Sequence, residues 1–166
     1  MTVKSVSFTF ARPTDTTAYA AGDLVANSTT IGQVVMPLWT LSSIGFANGF
    51  VRNARLRKSN TTVTNAQFSL ALFNAAIPLI PAVADNAAMT LSNDVTGFLG
   101  SIAFDLTTGA ITGSNGVVKA ATTQPALVFN AASGQAAGLQ GVLTATAAYT
   151  PASAENFEVI LDLSDI

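Results

Sequence analysis

The segment SVSFTF, residues 5–10, alternates strictly between hydroxyl-bearing and apolar side chains. Successive side chains of a β-strand point to opposite faces, so this pattern predicts a strand with one buried and one exposed face. Two later segments alternate in the same way, residues 67–74 and 157–163. With the shorter apolar segments that lie between turn-forming residues, the count reaches eight to ten strands. The sequence therefore predicts an all-β protein, a β-sandwich for which jelly-roll connectivity is the preferred topology.

Composition agrees with this fold class and predicts a single domain. The chain has 166 residues, of which 49% are hydrophobic and only 10% are charged, which suits one β-sandwich domain over residues 1–166. Alanine occurs 29 times and threonine 21 times, whereas glutamate occurs twice and lysine three times. Exposed helices are usually rich in glutamate and lysine, so we expect few of them. A surface of Thr, Ser, Asn and Ala suits a protein that lies against copies of itself or against a partner.

The residue types that are missing exclude several kinds of chemistry. The sequence contains no cysteine and no histidine, which excludes a disulfide framework, thiol chemistry, Cys/His zinc sites and a histidine-based triad. The net charge of −2 provides no overall positive field for nucleic acid or an anionic membrane. The most apolar segment, residues 75–84, is interrupted by two prolines and is too short to cross a bilayer. We predict no cofactor, no nucleic-acid partner and no membrane association, and we recognise no targeting segment.

The carboxylates do not form a recognisable catalytic pair. Glu158 and Asp162 share one face of a predicted strand but lie about 13 Å apart along it, wider than the roughly 5–9.5 Å that glycosidases use. Asp85, Asp94 and Asp105 are placed in or beside loops, where such residues more often cap turns than bind a metal. The ligand spacing of an EF-hand is absent. We therefore do not expect an enzyme.

Asn48-Gly49 is the strongest turn signal in the chain, since both residues tolerate the positive φ of a two-residue hairpin loop. It predicts a hairpin between residues 33–46 and residues 50–59. In that register Trp39 lies opposite Lys58 and Leu41 lies opposite Leu56 on the core face. A break is expected at the proline at position 37, because proline is tolerated only at edges and bulges of a sheet.

The returning strand carries a basic segment. Arg52, Arg55, Arg57 and Lys58 are four of the seven bases of the chain. We predict a partner-contact patch, because the planar guanidinium group forms paired hydrogen bonds with carboxylates. The alternative is a solvated strand face whose bases discourage edge aggregation. The register places Arg55 and Arg57 on the outer face, and Arg52 and Lys58 at the two ends of the core face. Nucleic-acid binding is less favoured, since the bases are few and have almost no aromatic neighbours.

Charge and loop lengths also favour contacts with other molecules. Residues 1–60 carry six basic and two acidic side chains, a net charge of +4, whereas residues 61–166 carry one and seven, a net charge of −6. Such polarity favours head-to-tail self-association or docking on a polar partner. Two long loops, residues 12–22 and residues 75–93, are candidates for arms that reach out to a partner.

Eight segments distributed along the chain carry a further signal. They are ARP at 11–13, TAYAAGD at 17–23, ARLRKS at 54–59, VTNAQF at 63–68, LFNAA at 72–76, DNAA at 85–88, GFLGSI at 97–102 and AAYTPA at 147–152. In this order they resemble a family of small virion proteins of tailed bacteriophages that are encoded beside head genes. Each motif is a strand or turn without reactive chemistry, and the resemblance carries over no catalytic residue.

The resemblance implies a virion structural protein made in the host cytoplasm and placed on the capsid surface. The expected function is that of a capsid decoration or cement protein, which binds the major capsid protein across subunit boundaries and associates with itself as a dimer or trimer. Alternatives are a tail, baseplate or head-fibre subunit, and a carbohydrate-binding jelly roll for host attachment. The carbohydrate-binding alternative needs exposed aromatic side chains, for which the candidates beyond phenylalanine are Trp39, Tyr19 and Tyr149.

Overall fold

The computed structural model describes residues 2–41, 44–74, 83–90, 97–130 and 138–166, which form ten strands and no α-helix. The strands are β1 (Val3–Ala11), β2 (Leu38–Thr40), β3 (Asn48–Lys58), β4 (Gln67–Phe73), β5 (Phe98–Asp105), β6 (Ile111–Gly113), β7 (Gly116–Ala120), β8 (Leu127–Asn130), β9 (Gly138–Ala145) and β10 (Asn156–Asp165). Within these ranges no helix is long and apolar enough to span a membrane.

The strands form two antiparallel sheets. The larger sheet has the order β1-β10-β3-β7-β6. Both β7 and β8 pair with the side of β3 that faces away from β10: β7 pairs with residues 55–58 and β8 with residues 48–51. The smaller sheet has the order β2-β9-β4-β5. Both sheets contribute side chains to one core, so the predicted β-sandwich and its predicted number of strands are confirmed. Jelly-roll connectivity and the single-domain organisation stay predictions.

Aromatic side chains join the two sheets at the centre of the core. Phe157 of β10 stacks on Phe10 of β1, with ring centroids 5.8 Å apart, and meets the edge of Phe68 of β4 at 5.5 Å. Phe8 at the β1 edge contacts Trp39 of β2 at 6.5 Å. The phenylalanine rings come from the alternating segments, because each such strand directs every second side chain inward.

The predicted hairpin at Asn48-Gly49 is wrong. Both residues lie inside β3, where Gly49 is opposite Phe129 of β8 on one side and Asp165 of β10 on the other. A Cβ atom at Gly49 would lie 2.1 Å from the backbone oxygen of Ser164, so the glycine permits a close approach between strands. β2 pairs with β9 in the other sheet, and Trp39 is therefore not opposite Lys58.

The expected break at position 37 agrees with the structure, since β2 begins at the next residue. A two-residue turn does occur, at Ser114-Asn115, between the paired residues Gly113 and Gly116 of the β6–β7 hairpin.

The segment 12–22, predicted to be a reaching arm, is tied to the sandwich. The N–H of Tyr19 donates to the carbonyl oxygen of Tyr149 at 2.9 Å, and the N–H of Gly22 donates to that of Ala145 at 2.8 Å. Tyr19 is buried. The prediction is corrected because main-chain hydrogen bonds and a buried ring hold this segment against β9. Of the other predicted arm, residues 75–82 and 91–93 lie outside the described residues, and the part between them includes the buried Val83.

Candidate partner-binding surface

Alternation along β3 decides which of its basic side chains reach the surface. Ala54, Leu56 and Lys58 have no exposed area and point into the core. Arg55 and Arg57 fall between them and point outward, as expected from the sequence. The outer face of the larger sheet thus presents two of the four predicted contact residues side by side.

Both arginines pair with carboxylates of the neighbouring strand β10. Arg57 lies opposite Glu158, and its Nη1 is 3.5 Å from Oε2. Arg55 reaches diagonally to Asp162, with Nη2 2.8 Å from Oδ1. The Ser5 hydroxyl on β1 donates to the same Oδ1 at 2.6 Å. Glu158 and Asp162, whose spacing is too wide for a glycosidase pair, are therefore partners of arginines in this surface.

The arginine–carboxylate pairs remain accessible to a partner. The side chains of Arg57 and Arg55 are 55% and 38% exposed. Pairs this exposed contribute about 0–1 kcal/mol to stability, so the fold does not depend on them. Beside them, Arg57 is opposite Val118, which is in turn opposite the exposed Ile111. The surface is locally neutral and mixes charged pairs, hydroxyl groups and apolar side chains, a composition that is typical of protein contact regions.

Arg52 lies at a β-bulge and is separated from the other arginines. The pairing of β3 with β10 shifts so that Asp162 is opposite Asn53 but the next residue, Leu163, is opposite Val51. The extra residue is Arg52. The bulge turns it toward a cavity of about 250 Å³, which is lined by Phe50, Arg52, Gln124, Ala126 and Ser164. Arg52 is exposed and stays a predicted contact residue.

Lys58 does not belong to this surface, which corrects one predicted contact residue. Its side chain has no exposed area, and its Nζ lies 3.1 Å from Oε1 of Glu155. The same Nζ donates to the Tyr149 hydroxyl at 3.0 Å and to the carbonyl oxygens of Asn60 and Thr62 at 2.7 and 2.5 Å. Lys58 lies two residues after Leu56 on the same strand, so its side chain points to the same inner face. There the buried polar groups replace the water molecules that the ammonium group loses.

The buried cluster of Lys58, Tyr149 and Glu155 joins β3 to the turn before β10. The Tyr149 hydroxyl donates to Oε2 of Glu155 at 2.7 Å, and the N–H of Ala152 donates to the same oxygen at 3.2 Å. Burial lowers the pKa of Lys58, and the nearby Glu155 carboxylate opposes that shift. Burial, followed by the Glu155 charge, raises the pKa of Tyr149. The cluster holds the segment between β9 and β10 in place.

A second buried cluster was not predicted from the sequence. Arg12 Nη2 lies 2.9 Å from Oδ2 of Asp85, and the Tyr19 hydroxyl donates to Oδ1 of Asp85 at 2.7 Å. The N–H of Ala26 donates to that same oxygen at 2.8 Å. The two charged residues are 73 positions apart, so no local spacing indicates their contact. Burial raises the pKa of Asp85, whereas these donors favour its charged form.

Two further acidic residues that the sequence places in or beside loops are Asp94 and Asp105. Asp105 accepts the N–H and hydroxyl of Thr107 at 2.9 and 2.5 Å and so caps a turn. Asp94 lies outside the described residues. Among residues that the structure describes, no three Asp, Glu, His or Cys side chains converge as metal ligands.

The aromatic residues considered for carbohydrate stacking are buried. Trp39, Tyr19 and Tyr149 are at most 1% exposed. A stacking platform needs an exposed ring face, which none of these three offers.

Models of known protein families gave no match to this chain, and neither did a search of curated proteins.

Proposed function

We propose that the protein is a structural component of a tailed-bacteriophage virion and that it decorates the capsid. In this proposal it binds the major capsid protein across subunit boundaries, on the capsid surface, and acts without catalysis. The sequence resemblance supplies the virion context. The observation that carries the binding role is the outer face of the larger sheet, where Arg55 and Arg57 lie exposed beside their carboxylate partners.

The chemistry of this face suits a protein partner. An exposed arginine that is paired with one carboxylate through a single nitrogen keeps further N–H groups, which can bind a carboxylate of the partner while the first pair stays in place. The exposed Ile111 provides adjacent apolar area that is removed from water on contact. A decoration protein that contacts several capsid subunits at once makes each further contact intramolecularly, so modest contacts of this kind add up to firm retention.

The two buried clusters support the same role, because a decoration protein needs a rigid body. Arg12 and Asp85 fasten the segment after β1 to the segment before β5, and Lys58 and Glu155 fasten β3 to the turn before β10. A partner that binds the outer face therefore meets a surface already in its bound shape, which lowers the entropic cost of binding.

The rival proposals differ in where the protein lies and what it binds. A tail, baseplate or head-fibre subunit would use the same sheet face in a different part of the virion. A carbohydrate-binding attachment module has less support, because the aromatic residues considered for it are buried.

The direct test separates heads from tails in purified virions of the phage that encodes the protein. Quantitative mass spectrometry then measures its copy number relative to the major capsid protein in each fraction. Decoration predicts dozens to hundreds of copies, about the number of capsid subunit boundaries, in the head fraction. A handful of copies, or enrichment in tails, would overturn capsid decoration and favour the tail or fibre proposal.

A further inference from the structure

The edge strands of the two sheets differ in how well they are protected. β2 and β6 are only three residues long, and β8, which pairs with β3 alone among the described strands, has four residues. β5 is longer, but the N–H of Thr122 donates to the carbonyl oxygen of Ala103 at 2.9 Å, and the Leu127 side chain lies over Gly100. β1 is nine residues long and pairs, among the described strands, with β10 alone. Within the described residues β1 shows no such cover, and a long edge strand without cover is a template for another strand.

The direction of the backbone groups of β1 follows from the hydrogen bonds at its two ends. The N–H of Asp165 donates to the oxygen of Thr2, and the N–H of Arg12 donates to the oxygen of Glu155. Directly opposed residues in an antiparallel pair alternate between bonded and non-bonded positions. Even-numbered residues of β1 therefore face β10 with their N–H and C=O groups. The odd-numbered residues present theirs to the open edge, and these are Val3, Ser5, Ser7, Thr9 and Ala11.

The length of β1 makes this edge complementary to itself. The strand runs from Val3 to Ala11, and its midpoint is Ser7, one of the outward-bonding positions. A second copy of the strand, antiparallel and fully overlapping, places Ser7 opposite Ser7 and Ser5 opposite Thr9. All the opposed odd-numbered pairs are then hydrogen-bonded pairs. A strand with an even number of residues would instead, on full overlap, place each odd-numbered residue opposite an even-numbered one, whose N–H and C=O groups point away from it.

The side chains also suit a second copy. On the outer face, serine and threonine hydroxyls meet, a favourable cross-strand combination. On the inner face, Val6 of one copy meets Phe8 of the other, and both are only partly buried in the single chain. Lys4 is the one charged residue of β1, and its Nζ is held by the carbonyl oxygen of Ile44 at 2.7 Å. No like charges are therefore brought together along the pairing.

We propose that β1 pairs with β1 of a second copy about a two-fold axis at Ser7. The product is a dimer in which two six-stranded sheets form one continuous sheet of twelve strands. This inference goes beyond the proposed function, because it rests on β1 alone and not on what the outer face binds. If both hold, the dimer presents two copies of the outer face side by side.

Substitution of the central residue tests the pairing. The Ser7 N–H points to the open edge, so Ser7→Pro removes no internal hydrogen bond and is compatible with an edge strand. It does remove a donor at the axis and places the ring where the second strand must lie. Sedimentation velocity over a range of concentrations should show a dimer for the wild type. The dissociation constant of Ser7→Pro should be raised about tenfold or more.

The matched control is Ser7→Thr, which keeps the N–H and favours strands, and which should remain dimeric. Circular dichroism and thermal unfolding check that each variant is folded. A wild-type protein that is monomeric throughout, a trimer, or a Ser7→Pro variant that dimerises as the wild type does would each overturn the proposal.

Charge at the axis distinguishes this interface from any other. Ser7→Asp or Ser7→Lys places two like charges opposite each other, so each variant alone should dimerise more weakly. An equal mixture should form a heterodimer, detected by native mass spectrometry. If the variants do not complement each other, Ser7 does not lie at the axis. If the wild type is monomeric but Ser7→Pro abolishes its binding to capsids, the edge takes a strand of the partner and the second copy is excluded.

Discussion

Lys58 shows how a charged side chain is accommodated inside this core. Lysine is rarely fully buried, because loss of hydration costs several kcal/mol for an ion. Here the ammonium group has four partners: the Glu155 carboxylate, the Tyr149 hydroxyl and two carbonyl oxygens. With these partners the residue links β3 to the segment before β10, at a position where an apolar side chain would only fill space.

Removal of this lysine should therefore be costly. Lys58→Met leaves the Glu155 carboxylate buried without its counter-ion, and we expect the free energy of unfolding to fall by about 3–5 kcal/mol. Urea unfolding followed by circular dichroism measures the change. The control is the double variant Lys58→Met with Glu155→Gln, which removes the unpaired charge and should recover most of the loss. A single variant as stable as the wild type would contradict the role assigned to the cluster.

The tyrosines provide a test of both clusters by pH. The chain has two tyrosines, Tyr19 and Tyr149, and burial raises the pKa of each above its ordinary value of about 10. The pKa of each tyrosine is higher in the folded protein than in the unfolded chain. The resulting contribution to the free energy of unfolding is therefore complete below about pH 10 and is lost as the pH rises further.

Absorbance at 295 nm reports tyrosinate directly. We expect no ionisation in the folded protein near pH 10, followed by a single step in which both tyrosines ionise together as circular dichroism shows unfolding. Tyr149→Phe should halve the amplitude of that step. Ionisation of either tyrosine at its ordinary pKa, with the fold intact, would contradict the burial described.

Sequence alone could place Arg55 and Arg57 at the surface, because both are direct neighbours of the core residue Leu56 on the strand and so point to the opposite face. The same alternation put Lys58 on the core face, yet its charge favoured a surface assignment. The partner that makes burial acceptable, Glu155, is 97 residues away. The Arg12–Asp85 pair was beyond prediction for the same reason, since a long-range ion pair leaves no periodic signal.

At the scale of elements, Gly49 explains why the strongest turn signal was misleading. Glycine suits a turn through its positive φ, but it also suits places where two backbones approach closely. Gly49 is a case of the second kind, on a strand that is flanked by β8 and β10. Local sequence does not distinguish the two uses, because the neighbouring backbone comes from residues far along the chain.

Two strand glycines allow a paired test of this assignment. A Cβ atom at Gly49 would lie 2.1 Å from the Ser164 backbone oxygen, whereas one at Gly113 would be no closer than 3.9 Å to its surroundings. Gly49→Ala should lower the free energy of unfolding by about 1–3 kcal/mol or more through overpacking. Gly113→Ala should change it by about 0.5 kcal/mol or less. Thermal and urea unfolding measure both, and equal effects would contradict the close approach at Gly49.

Most long strands were predictable, and their pairing was not. The segments around Phe8, Phe68 and Phe157 alternate clearly, and β1, β4 and β10 lie there. Alternation depends on one strand alone, whereas pairing depends on the sum of contacts with distant strands. The placement of β10 between β1 and β3 therefore had no local signature.

At the scale of the whole molecule, the proposed decoration role predicts a salt-dependent contact. Arg55→Glu together with Arg57→Glu reverses two exposed charges beside Asp162 and Glu158, which remain in place. The fold should persist, since exposed ion pairs contribute little. Retention on isolated capsids, measured by co-sedimentation, should fall, and the difference from the wild type should shrink at high salt because exposed charges are screened.

Two controls separate charge at this face from charge in general. Arg55→Lys with Arg57→Lys keeps the charge but loses the planar fork, and should weaken retention less. Thr29→Glu with Thr30→Glu adds negative charge at two exposed positions outside the strands and should leave retention unchanged. If the variant with Arg55→Glu and Arg57→Glu is retained on capsids as well as the wild type, the outer face is not part of the proposed contact.

The central place of β10 has a consequence for the timing of synthesis. β3 ends at Lys58 and β10 begins at Asn156, so β1 and β3 leave the ribosome long before the strand that joins them. At about 5–20 residues per second, roughly 5–20 s pass in which neither strand has its main neighbour. In that interval β3 can pair with β7 and β8, but β1 has no partner among the described strands of the larger sheet until β10 is made. The larger sheet is therefore completed late, when β10 inserts between β1 and β3.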